Sequence, residues 1–188
     1  RSCAATLARP SIASIAAAAM EHYSPSLQPS EVAEIARRID RPIVLVGMMG
    51  VGKSSVGRKL AQALKWPFVD ADLEIERAAQ MPVSEIFEAF GEAGFRDGER
   101  RVIARLIAAG RQVIATGGGA FVNDQTRQLV LEKAVAIWLD SDLDTLVERV
   151  GRKDSRPLLK TGDPREILTR LQEERRPAYS EAQIHVTS

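Results

Sequence analysis

An α/β fold, with helices on both faces of one parallel sheet, is what this sequence predicts. Three observations carry that expectation. From residue 41 onward, short apolar runs alternate with longer stretches of helical periodicity. The runs themselves, "PIVLVG", "QVIAT" and "AVAIWLD", are continuous rather than alternating with polar residues, as strands buried on both faces require. Third, the glycine-rich "GMMGVGKS" joins the first run to a helical segment. A length of 188 residues suits one domain with a sizeable core.

The elements follow in order. Residues 1–20, "RSCAATLARPSIASIAAAAM", hold Ala, Ser and Arg without a single acid. That bias is that of a transit peptide or an appended tail. Residues 1–40 are therefore expected to be an extension, disordered apart from a short helix near 30–40. "EVAEIARRI" predicts that helix, with apolar residues at 32, 35, 36 and 39. The Ala-dominated stretch before it is too short for a membrane span. The folded domain is expected over 41–188. It opens with a strand at 42–47 and a helix at 53–64, followed by a short strand, "PFVDA". Residues 73–79 and 83–109 read as helical, with a break around "GEAG", where two glycines weaken the helix. Then come a strand at 112–116, a helix at 123–133, a strand at 134–140 and a helix at 142–152. Residues 150–165, "VGRKDSRPLLKTGDPR", form a polar, turn-rich insertion. A helical stretch over 162–182 is expected to break at Pro177, and "QIHVT" is the last strand.

Composition narrows the function. A formal net charge of +1 gives no reason to expect nucleic acid or an acidic membrane as partner. One cysteine, Cys3, and two histidines, His22 and His185, cannot build a thiol or imidazole cage. Any catalytic magnesium must rest on oxygen ligands.

The pattern Gly47-x-x-x-x-Gly52-Lys53-Ser54, between a strand and a helix, has the context of a phosphate-binding loop. Gly50, Val51, Gly52 and Ser55 belong to the same turn. Its glycines let backbone N–H groups converge on phosphate oxygens at a helix N-terminus. Lys53 then neutralises the outer phosphates and Ser54 ligates magnesium. Asp70 and Asp72 close the second strand, where alternation points both carboxylates to one side. One can hold magnesium through water while the other accepts a substrate hydroxyl; the plainer reading of Asp72 is a helix cap, which leaves Asp70 unexplained. Arg96 and Glu99 are either a surface i,i+3 pair or a guanidinium held by a carboxylate and aimed at a planar anion. Arg100, Arg101 and Arg105 read as solvated helix face. Gly117, Gly118 and Gly119 end a buried strand, either as a tight turn or as bare backbone against a ligand. Arg156, in the polar insertion, sits where a lid could bring a cation onto transferring phosphate.

Taken together, "GMMGVGKSSVGRKLA", "FVDADLEIE", "IFEAFGEAGFRDGE", "VIATGGGAF", "RPLL" and "EERRPAY" resemble the shikimate kinases of bacteria, over roughly 41–187. The resemblance implies a three-layer P-loop kinase fold with a five-stranded sheet in order 2-3-1-4-5. It also implies a substrate-binding region about 72–105 and a lid about 150–165. The implied reaction moves the ATP γ-phosphate to the 3-hydroxyl of shikimate, on the route to chorismate and the aromatic amino acids. By the same resemblance, Lys53 and Ser54 serve phosphate and Mg2+, Asp70 the metal, and Asp72 the ring hydroxyls and the proton. Arg96 and Arg175 take the shikimate carboxylate, Gly118 and its neighbours contact substrate, and Arg156 is the lid arginine. Arg149 or Arg152 lies near adenine. The expected partners are ATP and shikimate, without nucleic acid or membrane, for a cytoplasmic monomer. Such kinases continue beyond the last strand into a loop and a helix; the sequence here ends at "QIHVTS". Two rivals stay in view: a gluconate-kinase-like enzyme, which has no need of two carboxylate-binding arginines, and a non-catalytic sensing domain, which has no need of Lys53 and Asp72.

Overall fold

The structure is a computed structural model and describes residues 11–20, 28–151 and 163–187. Five strands make one parallel sheet: β1 (Ile43–Val46), β2 (Phe68–Asp70), β3 (Val113–Ala115), β4 (Val135–Asp140) and β5 (Ile184–Thr187). Their order is β2-β3-β1-β4-β5, the predicted one. Val44 pairs with Ile114 on one side and Ala136 on the other, so β1 lies at the middle of the sheet. Every residue of β1 and β3 is buried, which explains their unbroken apolar runs. The chain leaves β1 toward one edge and later crosses to the other. Ligands in such sheets bind at that reversal, outside the carboxyl ends of the strands.

Around the sheet lie α1 (Ile12–Met20), α2 (Pro29–Arg38), α3 (Lys53–Leu64), α4 (Ala71–Ala79), α5 (Val83–Ala108), α6 (Asp124–Lys133), α7 (Leu143–Gly151) and α8 (Pro164–Tyr179). The break foreseen near "GEAG" falls at Gly91, whose φ of 67° and ψ of −179° interrupt α5. A glycine takes that conformation without steric cost. The turn sets the direction of the longer part of α5, which carries Arg96 and Glu99.

Two expectations need correction. Residues 12–20, read as part of a disordered extension, form α1, which buries Ile15, Ala16 and Ala19 and packs on α3 and β5. The physical reason is a helical stripe of Ile12, Ile15, Ala16 and Ala19 built from the strongest helix-forming residue type. Nor does the last helix break at Pro177: α8 runs through it to Tyr179. Pro177 falls in the final turn, where little helix remains to disrupt, and Ser180 N–H donates to the Arg176 carbonyl at 2.9 Å beyond it. α2 stands where the amphipathic pattern predicted it. Among the described residues no helix is long and apolar enough to cross a membrane. Most of the insertion at 150–165, with Arg152 and Arg156, lies outside the described residues.

Candidate active site

The phosphate loop is shaped by backbone conformation. Gly47, Gly50 and Gly52 all have positive φ, at 135°, 84° and 97°. Gly52 caps α3, and the Val56 N–H donates to its carbonyl at 2.9 Å. Val51 is buried in the loop and Ser55 is exposed on the first turn of α3. Lys53 folds back under the loop, its Nζ donating to the Gly47 and Met48 carbonyls at 2.8 and 2.9 Å. A cation is thus stored beneath the turn that would receive phosphate.

Beside it, Ser54 Oγ donates to Asp70 Oδ2 at 2.7 Å, which joins the two residues predicted to serve a metal. The other Asp70 oxygen accepts from the Asp72 N–H at 3.2 Å, and Asp70 is the N-cap of α4. The capping role considered for Asp72 therefore belongs to Asp70. Asp72 stands inside the first helical turn, with its side chain free of capping duty. Burial raises its pKa, and the negative charge of Asp70 adds to the rise; Lys53 and Arg96 oppose it. Among the described residues no three Asp, Glu, His or Cys side chains gather as a metal cage. A hydroxyl and a carboxylate oxygen beside a phosphate loop suit magnesium, which takes few protein ligands and completes its shell with phosphate and water.

Across from the loop, the Arg96–Glu99 pair is no surface bridge. Arg96 Nη1 donates to Glu99 Oε2 at 2.6 Å, and Glu99 is only 1% exposed. Burial raises the Glu99 pKa while Arg96 pulls it down. Arg100, Arg101 and Arg105 instead pair with Asp97 or Glu74 toward solvent, as expected of a helix face. Arg175 lies on α8, on the same cleft as Arg96. Both line a cleft of about 560 Å3 together with Glu92, Gly119, Val122 and Leu171. The Nη1 of Arg175 is buried beside Gly118, and the guanidinium lies within reach of the Tyr179 hydroxyl.

The three glycines after β3 stand between these groups. None of them has positive φ. What they supply is room. A Cβ at Gly117 would lie 2.8 Å from Asp72 Oδ1 and 3.2 Å from Glu99 Oε1. At Gly118 it would meet Arg175 Nη1 at 3.2 Å and the Met49 nitrogen at 3.4 Å; at Gly119 it would press on the Arg96 guanidinium, 2.9 Å from Cζ. Gly117 thus gives way to two carboxylates of the site, and Gly118 and Gly119 to one guanidinium each.

Arg149 ends α7 beside the phosphate loop, its Nη1 donating to the Val51 carbonyl at 3.4 Å. Of the two arginines considered for the nucleotide side, it is the one within the described residues. Sequence reasoning missed Tyr179, which is 2% exposed and whose hydroxyl donates to the Gly118 carbonyl. The available sign was "RRPAY", which sets Tyr179 one helical turn after Arg175.

Comparison with known proteins bears on this geometry. The family profile for shikimate kinase matches residues 49–188. A shikimate kinase of Novosphingobium aromaticivorans is 66% identical over 173 residues, covering 90% of each chain. One from Caulobacter vibrioides is 61% identical over 146 residues, 78% of this chain and 73% of its own. Among solved structures, the shikimate kinase from Acinetobacter baumannii in complex with shikimate superposes with a TM-score of 0.75 at 37% identity, covering 79% of this chain and 83% of that one. The enzyme from Bacteroides thetaiotaomicron gives 0.74 at 31%, covering 78% and 86%.

Proposed function

The chain belongs to the shikimate kinase family, and from that premise we propose how its residues move the γ-phosphate of ATP onto the 3-hydroxyl of shikimate. The observation that carries the reading is the pair Arg96 and Arg175 lining one cleft. Two guanidiniums around one space suit a carboxylate, which accepts paired N–H bonds from each. With the carboxylate there, the ring hydroxyls of shikimate face Asp72 and the backbone of Gly117–Gly119.

Asp72 accepts the hydrogen bond of the reacting hydroxyl and takes its proton as the bond to phosphorus forms. Its raised pKa makes it a stronger base than a solvated aspartate. Phosphoryl transfer passes through a loose transition state, so alignment and charge matter more than base strength. Alignment comes from Glu99, which fixes Arg96, and from the loop of Gly50, Val51, Gly52 and Ser55, which cradles phosphate. Lys53 leaves the Gly47 and Met48 carbonyls for the outer phosphate oxygens. Ser54 and Asp70 would hold Mg2+, which when bound neutralises phosphate charge. Arg149 borders the nucleotide, and Arg156 is assigned to the lid on its sequence position. We place the enzyme, as a monomer, in the cytoplasm with its ATP.

Calorimetry on Arg96→Lys tests the reading. Lysine keeps the charge but loses the paired N–H geometry, a loss of roughly 1.5–3 kcal/mol, or about one to two decades of shikimate affinity. ATP affinity should stay as in wild type. Unchanged shikimate affinity would remove Arg96 from the site.

A further inference from the structure

We propose that the Tyr179 hydroxyl is a positioning group for the transfer, tying the glycine turn to α8 so that the carboxylate-binding arginine and the phosphate loop keep a fixed separation. The inference rests on the assignment of Arg175 to the substrate carboxylate.

Gly118 is where three parts of the site meet. Tyr179 donates its hydroxyl proton to the Gly118 carbonyl. A Cβ on Gly118 would lie 3.2 Å from Arg175 Nη1, 3.4 Å from the Met49 nitrogen and 3.7 Å from the Gly47 oxygen, so the arginine and the phosphate loop both abut this residue. A shift of Gly118 therefore moves the distance between the group that holds the acceptor and the loop that holds the donor. Reacting atoms misplaced by about 1 Å can lose two decades of rate.

The ring and the hydroxyl of Tyr179 have separable duties. The ring packs against Trp138, centroids 5.9 Å apart, on the strand next to β1. Phenylalanine would fill that place equally well. The hydroxyl alone reaches the glycine turn. Burial raises the phenol pKa, which keeps the hydroxyl protonated and able to donate near neutral pH, while the charge of the adjacent Arg175 and its hydrogen bond to the phenol oppose the rise. Arg175 and Tyr179 are one turn apart on α8 and meet the turn at the same residue, so neither can shift without the other.

Steady-state kinetics in both substrates, with melting curves, should be run on Tyr179→Phe, Arg175→Lys and the double variant. Tyr179→Phe should lower kcat/KM for shikimate about three- to tenfold, the range of one lost hydrogen bond. The KM for ATP should stay within about twofold, because no group on the nucleotide is touched. The double variant should lose less than the product of the single losses, since both residues act through one contact. Equal rises in the KM values for ATP and shikimate with a lower melting temperature would mean a structural role only, and strict additivity would also overturn the inference. If Tyr179→Phe behaves as wild type while Arg175→Lys loses shikimate, the positioning role falls and the carboxylate assignment stands. If Arg175→Lys also binds shikimate normally, the assignment itself falls.

Discussion

In the phosphate loop Gly47, Gly50 and Gly52 hold positive φ; in the turn after β3, Gly117, Gly118 and Gly119 do not. The first set answers a demand of the backbone, which must curl so that N–H groups converge. The second answers a demand of its neighbours, because Asp72, Glu99, Arg175 and Arg96 occupy the space a Cβ would take. One turn uses glycine for its conformation and the other for its absence of bulk. The two therefore fail differently when altered, and that difference can be measured.

The largest effect should come from the carboxylate that Gly117 accommodates. Asp72→Asn should cut turnover by about two decades, the lower end for a positioned general base when the transition state is loose. ATP affinity should be unchanged, and turnover within threefold of wild type would leave Asp72 without a part in proton transfer. Next come the glycines themselves. Gly119→Ala pushes a methyl onto the Arg96 guanidinium and should weaken shikimate by about one to two decades while sparing ATP. Gly52→Ala would meet only Arg149 Nη1, at an ordinary 3.9 Å, but forces a side chain into left-handed backbone, which costs roughly 1–2 kcal/mol. Its loss, about tenfold, should fall on ATP and spare shikimate. If both variants impaired the two substrates alike, the contrast between the turns would collapse.

A smaller effect concerns stability. Burial holds the folded pKa of Asp72 above 3.8, its ordinary value. As pH rises, the unfolded chain releases this proton first, so stability present below that value is lost as pH climbs through the folded pKa. Asp72→Asn should therefore melt at a higher temperature than wild type at pH 7, with the gain fading in acid. A gain of equal size at both pH values would assign it to another cause. The smallest effect on turnover belongs to the N-terminal helix α1. Removing residues 1–20 takes away α1 and exposes its contacts on α3 and β5. The melting temperature should fall while kcat holds, and an unchanged melting curve would show that α1 adds nothing to the fold.

The sheet was legible because a buried parallel strand must be apolar throughout, and the phosphate loop because its glycines recur at fixed spacing. The relation of Arg96 to Glu99 was legible only as an alternative. Helical spacing brings the two together, but only packing from other segments buries Glu99. Asp70 and Asp72 show the same limit. Both can cap a helix in principle, and the start of α4 at Ala71 decides between them. At the N-terminus the composition misled where periodicity would have served: an acid-free tail was the reading, while 12, 15, 16 and 19 already spelled a helix face. Tyr179 was hidden for a further reason. Its value lies in one hydroxyl meeting a carbonyl far away in the chain, and no local pattern encodes that meeting.

If Arg96 and Arg175 take the substrate carboxylate, their cleft also decides which molecules the enzyme refuses. A neutral ring polyol of suitable shape could enter the cleft and still find Asp72 and the glycine backbone. It would cover the two guanidiniums of the cleft and offer those cations no anion in return. Sites that leave buried polar groups unmatched by an analogue can reject it by about four to five decades, far more than a missing methylene achieves. Selection among hydroxylated rings would then operate by exclusion. An acceptor without a carboxylate is turned away less by what it fails to touch than by what it leaves stranded.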